Sequence, residues 1–172
     1  SIVCAVLVVV LAVKIGRSIA ESRRQGAARD LNDARAAFLN ATESVDVESR
    51  DLALDAAIES SSKIAEQFGA SKTGLEALYL KGNSQFLKQS FDEAVKTFET
   101  FIDQAKSDDD KAKGRLALGY TYENRFFAEP ENEQWAEKAA AAYESAQKLG
   151  TRSDGELTFQ ACEAIMSLAR LH

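Results

Sequence analysis

The stretch Leu75–Ala105, LEALYLKGNSQFLKQSFDEAVKTFETFIDQA, constrains this chain more than any other. Leu75, Leu78, Tyr79, Gly82 and Phe86 recur at three- and four-residue steps and so share one face of a helix. Gly82 falls mid-helix, where glycine costs roughly 1 kcal/mol relative to alanine. Close approach by a neighbouring helix would offset that cost. Gln89-Ser90 loosens the rhythm, and Phe91, Ala94, Val95, Phe98, Phe101 and Ile102 resume it. Asp92 and Glu93 stand where a helix N-terminus favours negative charge. Two amphipathic helices joined by so short a link pack antiparallel.

The spacing repeats. With Leu75 counted as 1, Gly82, Phe91, Ala94 and Phe98 fall at offsets 8, 17, 20 and 24. A second copy starting near Ala112 places Leu118, Gly119 and Tyr122 at offsets 7, 8 and 11. Its second helix carries Ala139, Tyr143 and Ala146 at the same four- and three-residue steps as offsets 20, 24 and 27. Eight extra residues, within Phe126–Gln134 and including the only proline, Pro130, lengthen its turn. These residues resemble the tetratricopeptide repeat, a 34-residue helix–turn–helix. The alternative is a helical-hairpin protein without true repeats. The fold class predicted is all-α: a tetratricopeptide-like stack of about three antiparallel hairpins plus a C-terminal capping helix, continuing from an N-terminal membrane helix.

Composition agrees with an all-helical domain. The 172 residues suffice for one domain, 45% are hydrophobic, and β-branched residues are scarce beyond the first 13. A net charge of −6 argues against nucleic acid as a partner, because phosphate binding needs a basic stripe. The two cysteines, Cys4 and Cys162, lie at opposite ends and do not suggest a disulfide, so the redox compartment stays open.

Ile2–Val13 is twelve apolar residues without a charge, against roughly 20 needed for a span. The chain opens on serine, so a missing start would complete the span. A retained single membrane helix is preferred over a signal peptide ending at Ser18-Ile19-Ala20, a lipoprotein site at Cys4 or a buried helix. The predicted division is a membrane helix over 1–20 and a helical domain over 21–172. Lys14, Arg17, Arg23, Arg24, Arg29 and Arg35 on the C-terminal flank favour a cytoplasmic domain by charge.

The first helix is predicted to run on past Gly16 and Gly26, with at most a bend, along a stripe of Leu31, Ala34, Phe38 and Ala41. Ser44–Ser49 breaks it. A helix over Asp51–Phe68 then presents Leu54, Ala57, Ile58, Ile64, Ala65 and Phe68 and ends at Gly69. Ser71 and Thr73 are candidate N-caps, and Ser107-Asp108-Asp109-Asp110 reads as the cap of a helix over Lys111–Phe127. Trp135 opens a helix stopped at Gly150. A final helix over Asp154–Leu171 is predicted to bury Leu157, Cys162, Ile165, Leu168 and Ala169, covering the end of the stack.

No catalytic constellation stands out. The one histidine is His172, which leaves no histidine-based triad and few zinc sites, and no glycine-rich phosphate loop occurs. No enzyme activity, cofactor or metal is predicted. The family resemblance implies a groove lined by the first helix of each repeat, at offsets 2, 5, 9, 12 and 13. These are Glu76, Tyr79, Asn83, Phe86 and Leu87, then Lys113, Leu116, Tyr120, Glu123 and Asn124. Such a surface suits an extended peptide or a partner helix, though Phe86, Leu87 and Leu116 would serve equally as core. Phe126-Phe127 and Trp135 would staple the long turn or form a second patch. The layout resembles bacterial inner-membrane tetratricopeptide proteins, such as the ancillary subunit of the Sec translocon. That resemblance implies a membrane-anchored interaction scaffold for an envelope, secretion or chaperone complex, its domain outside the cytoplasm. The alternative is a structural accessory subunit with the domain as spacer.

Overall fold

The structure is a computed structural model that describes the backbone of residues 2–171 and the side chains of residues 10–171. Among the described residues seven helices follow one another: α1 (Ile2–Glu43), α2 (Val47–Phe68), α3 (Lys72–Leu87), α4 (Phe91–Gln104), α5 (Asp108–Ala128), α6 (Gln134–Leu149) and α7 (Phe159–Leu171). Among the described residues the only β pairing is an isolated bridge between Thr151 and Leu157.

The helix starts follow from capping side chains. Asp46 accepts a hydrogen bond from Ser49 N at 2.8 Å, so α2 begins at Val47 rather than Asp51. Ser71 caps α3 through Gly74 N, and Ser107 caps α5 through Asp110 N. Gly69 closes α2 at φ +48°, a left-handed value that suits glycine. The α3–α4 turn takes its positive φ at Gln89, +61°.

Each helix packs on the next, and the links of three to nine residues reverse the chain between neighbours. α1 also touches α3, α3 touches α5 and α5 touches α7, whereas α2, α4 and α6 do not touch one another. The odd-numbered helices therefore form the closer row, and the even-numbered ones splay apart behind it. Three apolar clusters fill the body. Leu31, Ala34, Ile64, Ala77 and Leu80 join α1, α2 and α3. Leu78, Ala94, Phe98, Phe101, Ile102 and Leu118 form the centre. Leu116, Ala139, Tyr143, Ala146 and Ala164 join α5, α6 and α7.

Glycines set the closest approaches. A Cβ on Gly82 would lie 2.5 Å from Phe98 Cε1, and one on Gly119 would lie 2.3 Å from Tyr143 Cε1. These two mid-helix glycines thus each make room for one aromatic ring of the following helix. A buried Thr97 hydroxyl donating to Gln85 Oε1 at 2.7 Å adds a polar pin between α3 and α4.

Two expectations need correcting. A single-pass membrane location is contradicted: among the described residues no helix is long and apolar enough to cross a membrane. Of the expected span, the side chains of residues 1–9, including Cys4, lie outside the described part. In sequence the uncharged apolar run Ile2–Val13 is twelve residues long before Lys14 and Arg17, short of the roughly 20 a span needs. α1 runs on past Gly16 and Gly26 as expected, continuous from Ile2 to Glu43. Val10–Gln25 is exposed throughout, and among the described side chains of α1 the first buried one is Ala27.

The last helix is also shorter than predicted and turned. Residues 150–158 form a tight loop, with Gly155 at φ +84° and Arg152 N bonded to Glu156 O at 2.9 Å. α7 then buries Ala161, Ala164 and Ser167, leaving Cys162, Ile165 and Met166 exposed. Small side chains face the body because they admit α7 close to α5 and α6. Of the bulkier stripe read from sequence, Leu168 packs against the α5–α6–α7 cluster, whereas Leu157, Cys162, Ile165 and Ala169 point outward.

Candidate functional site

α3 and α5 lie side by side in the odd row, and both present a ladder of side chains at helical spacing. On α3 the ladder is Lys72, Glu76, Tyr79, Asn83 and Phe86; on α5 it is Asp110, Lys113, Leu116, Tyr120, Asn124 and Phe127. Three compartments open between them. The central one, about 270 Å³, is lined by Tyr79, Asn83, Phe86, Leu116, Tyr120 and Asn124 over a floor of Phe98 and Ala117. At the N-terminal ends of both helices lies a compartment of about 430 Å³ that shares Tyr79 and adds Glu76, Lys113, Lys72, Lys106 and Asp110. At the C-terminal ends lies one of about 370 Å³ that shares Phe86 and Asn124 and adds Leu87, Phe91 and Phe127. Shared walls make the three one groove.

Packing from behind holds the aromatic lining. The Tyr79 ring centroid is 5.9 Å from that of Phe98 and 5.5 Å from that of Phe101. Tyr120 meets Tyr143 edge-on at 5.6 Å, and its hydroxyl donates to Glu163 Oε2 at 2.9 Å. Lys113 Nζ stands 3.7 Å from the Tyr79 ring centroid, a cation–π contact. Burial pushes the Lys113 ammonium below its ordinary range, against the pull of Asp110 and Glu76. Burial likewise pushes the Tyr79 phenol up, with Asn83 opposing. Arg35 of α1 takes Glu76 at 2.9 Å, and Asn124 donates to the Tyr120 carbonyl, also at 2.9 Å.

Nine of the ten residues predicted for the groove line these compartments: Glu76, Tyr79, Asn83, Phe86, Leu87, Lys113, Leu116, Tyr120 and Asn124. Leu116 is 8% exposed and is at once groove floor and core. Glu123 is the exception and is corrected: it is 2% exposed and faces the body. There it accepts hydrogen bonds from Tyr143 Oη at 2.6 Å and from Arg170 Nε and Nη2, both at 2.8 Å. Burial alone would raise its pKa. The paired Arg170 bonds and the Tyr143 hydroxyl outweigh it and hold the carboxyl below its ordinary value. Glu123 therefore latches α7 to α5 and α6.

The sequence reading missed Arg170 and Glu163, because α7 lies beyond the repeat spacing and carries no motif of its own. It left Trp135 between two roles, and the structure makes it a staple. Trp135 stacks on Tyr122 at 6.0 Å and 11°, has Arg125 4.0 Å above its ring, and donates from Nε1 to Glu129 at 3.0 Å. Phe127, 62% exposed, instead ends the groove. Among the described residues no group of three or more His, Cys, Asp or Glu could hold a metal ion. The groove presents aromatic faces, amides and ammonium groups. Against protein-family models, curated proteins and solved structures, the chain finds no match.

Proposed function

We propose that the chain is a tetratricopeptide-like interaction scaffold that holds a segment of a protein partner in the groove between α3 and α5, and that its role is binding rather than catalysis. One observation carries this reading. The positions at which a repeat protein presents side chains to a ligand line three joined compartments on the closer row of helices, with only Glu123 turned away. The glycine–aromatic pairs Gly82–Phe98 and Gly119–Tyr143 support the family reading, because the same contact recurs in two successive hairpins. An aromatic and amide lining suits a polypeptide: rings give contact area at little entropic cost, and amides satisfy backbone groups.

The test is capture of the partner polypeptide by the full chain and by the double variant Asn83→Ala, Asn124→Ala. Weaker capture at an unchanged melting temperature is expected; unchanged capture contradicts the reading. Tyr79 is a poorer choice, because it packs on Phe98 and Phe101 and its loss would disturb the core. A second reading, an accessory subunit that assembles through its outer surfaces, draws on the apolar outside of α7, where Phe159 is 70% and Met166 56% exposed.

A further inference from the structure

The groove has two unlike ends. At the N-terminal end stand Lys72, Lys106 and Lys113, with Arg35 adjacent, against two carboxylates, Glu76 and Asp110. Both carboxylates are already engaged: Glu76 by Arg35, and Asp110 Oδ2 by the Ser107 hydroxyl at 2.6 Å. Among the described residues none of the three lysines has a carboxylate within ion-pair distance, and Lys113 is partly desolvated besides. Four cations over two occupied carboxylates make a positive patch on a chain whose net charge is −6. The N-termini of α3 and α5 add their dipoles there, offset in part by Asp108 and Asp109 on the first turn of α5. The other end is apolar, with Phe86, Leu87 and Phe91 behind the exposed ring of Phe127.

We propose that the occupant is an extended internal segment of a protein partner, lying parallel to α3, with one or two acidic side chains at the lysine end and a large apolar side chain against Phe127. The proposal rests on the groove being a polypeptide site and adds the ligand's chemistry and direction. Charge selects the acidic end: three lysines without carboxylate partners are the complement of Asp or Glu. The middle compartment, about 270 Å³ against about 430 and 370 Å³ at the ends, is the smallest of the three, which suits a thin extended chain better than a helix roughly 10 Å across. From Lys72 to Phe86 the α3 axis runs roughly 21 Å at 1.5 Å per residue. An extended chain covers that in about six residues at 3.3 Å each, which fixes the spacing between the acidic and the apolar anchor.

The experiment selects a displayed library of random twelve-residue peptides, flanked on both sides by fixed linker, against the full chain. The recovered peptides are then measured by fluorescence anisotropy at two salt concentrations. Peptides with Asp or Glu about six residues from Phe, Trp, Tyr, Leu or Met support the proposal. Their affinity is expected to fall on the order of tenfold in Lys72→Glu with Lys106→Glu, and to lose most of its salt dependence. Both lysines are exposed, so this variant keeps the fold, and a thermal melt verifies that. Peptides that need Asn83 and Asn124 but show no acidic preference, or that ignore the lysine reversals, overturn the proposal and leave the groove reading standing. Recovery of no peptide dependent on Asn83 and Asn124 overturns both.

Discussion

Arg170, near the end of α7, forks onto Glu123 of α5 through Nε and Nη2, each at 2.8 Å, across 47 residues of sequence. The side chains are 53% and 3% exposed, so the pair joins a half-wet guanidinium to a dry carboxylate. Removing Arg170 leaves that carboxylate buried with only Tyr143 as donor. A fully buried pair broken this way costs about 3–5 kcal/mol, and the exposure of Arg170 lowers the figure for Arg170→Ala to about 2 kcal/mol. Urea unfolding reads the loss. Hydrogen exchange is expected to show α7 losing protection before α3 and α4. A change under about 0.5 kcal/mol would remove the latch from the account.

The same pair sets a pH dependence. The folded pKa of Glu123 lies below its ordinary 4.5, so its contribution is present in full above about 4.5 and is lost as pH falls through the depressed value. Tyr143 is pushed the other way: burial first, then Glu123, raise it above its ordinary 10.0. Its contribution is present below about pH 10 and is lost above it, where the unfolded phenol ionises and the folded one does not. The urea midpoint of Glu123→Gln is expected to fall less steeply below pH 4.5 than that of the unsubstituted chain. Parallel acid limbs would show that other carboxylates govern the slope.

Glycine positions separate packing from helix propensity. Gly119→Ala and Gly82→Ala each gain about 1 kcal/mol of propensity, yet they drive a methyl within 2.3 Å of Tyr143 and 2.5 Å of Phe98. Overpacking costs about 1–3 kcal/mol, and both rings are fixed from behind, so a net loss is expected at each site. Gly26 has nothing within 4 Å of an added Cβ, and Gly26→Ala is expected to stabilise by about 0.5–1 kcal/mol. Thermal melts of the three variants check the contrast. Stabilisation at all three would mean the hairpins are not held at these contacts.

Much of this was legible before the coordinates, for a physical reason. Gly82 and Gly119 are costly mid-helix residues, and only a ring against the backbone explains them; the rings of Phe98 and Tyr143 stand there. The groove ladder comes instead from what the tetratricopeptide resemblance implies for offsets 2, 5, 9, 12 and 13. Glu123 misled because its offset matches the groove, while a cation 47 residues away draws it into the body. α7 misled because its buried face is Ala161, Ala164 and Ser167, whereas hydropathy picks out the outward stripe of Cys162 and Ile165. Propensity alone also ran the final helix back to Asp154, into a loop closed by Gly155 and the Thr151–Leu157 bridge.

The groove itself is tested most directly by photocrosslinking in the native cell, with p-benzoylphenylalanine placed at Asn83 or Asn124 on the closer row, or at Glu99 or Glu144 on the even helices behind it. All four positions leave the apolar clusters intact. The account predicts discrete polypeptide adducts from Asn83 and Asn124 and none from Glu99 and Glu144. Adducts of equal yield from both faces, or from Glu99 and Glu144 alone, would contradict it.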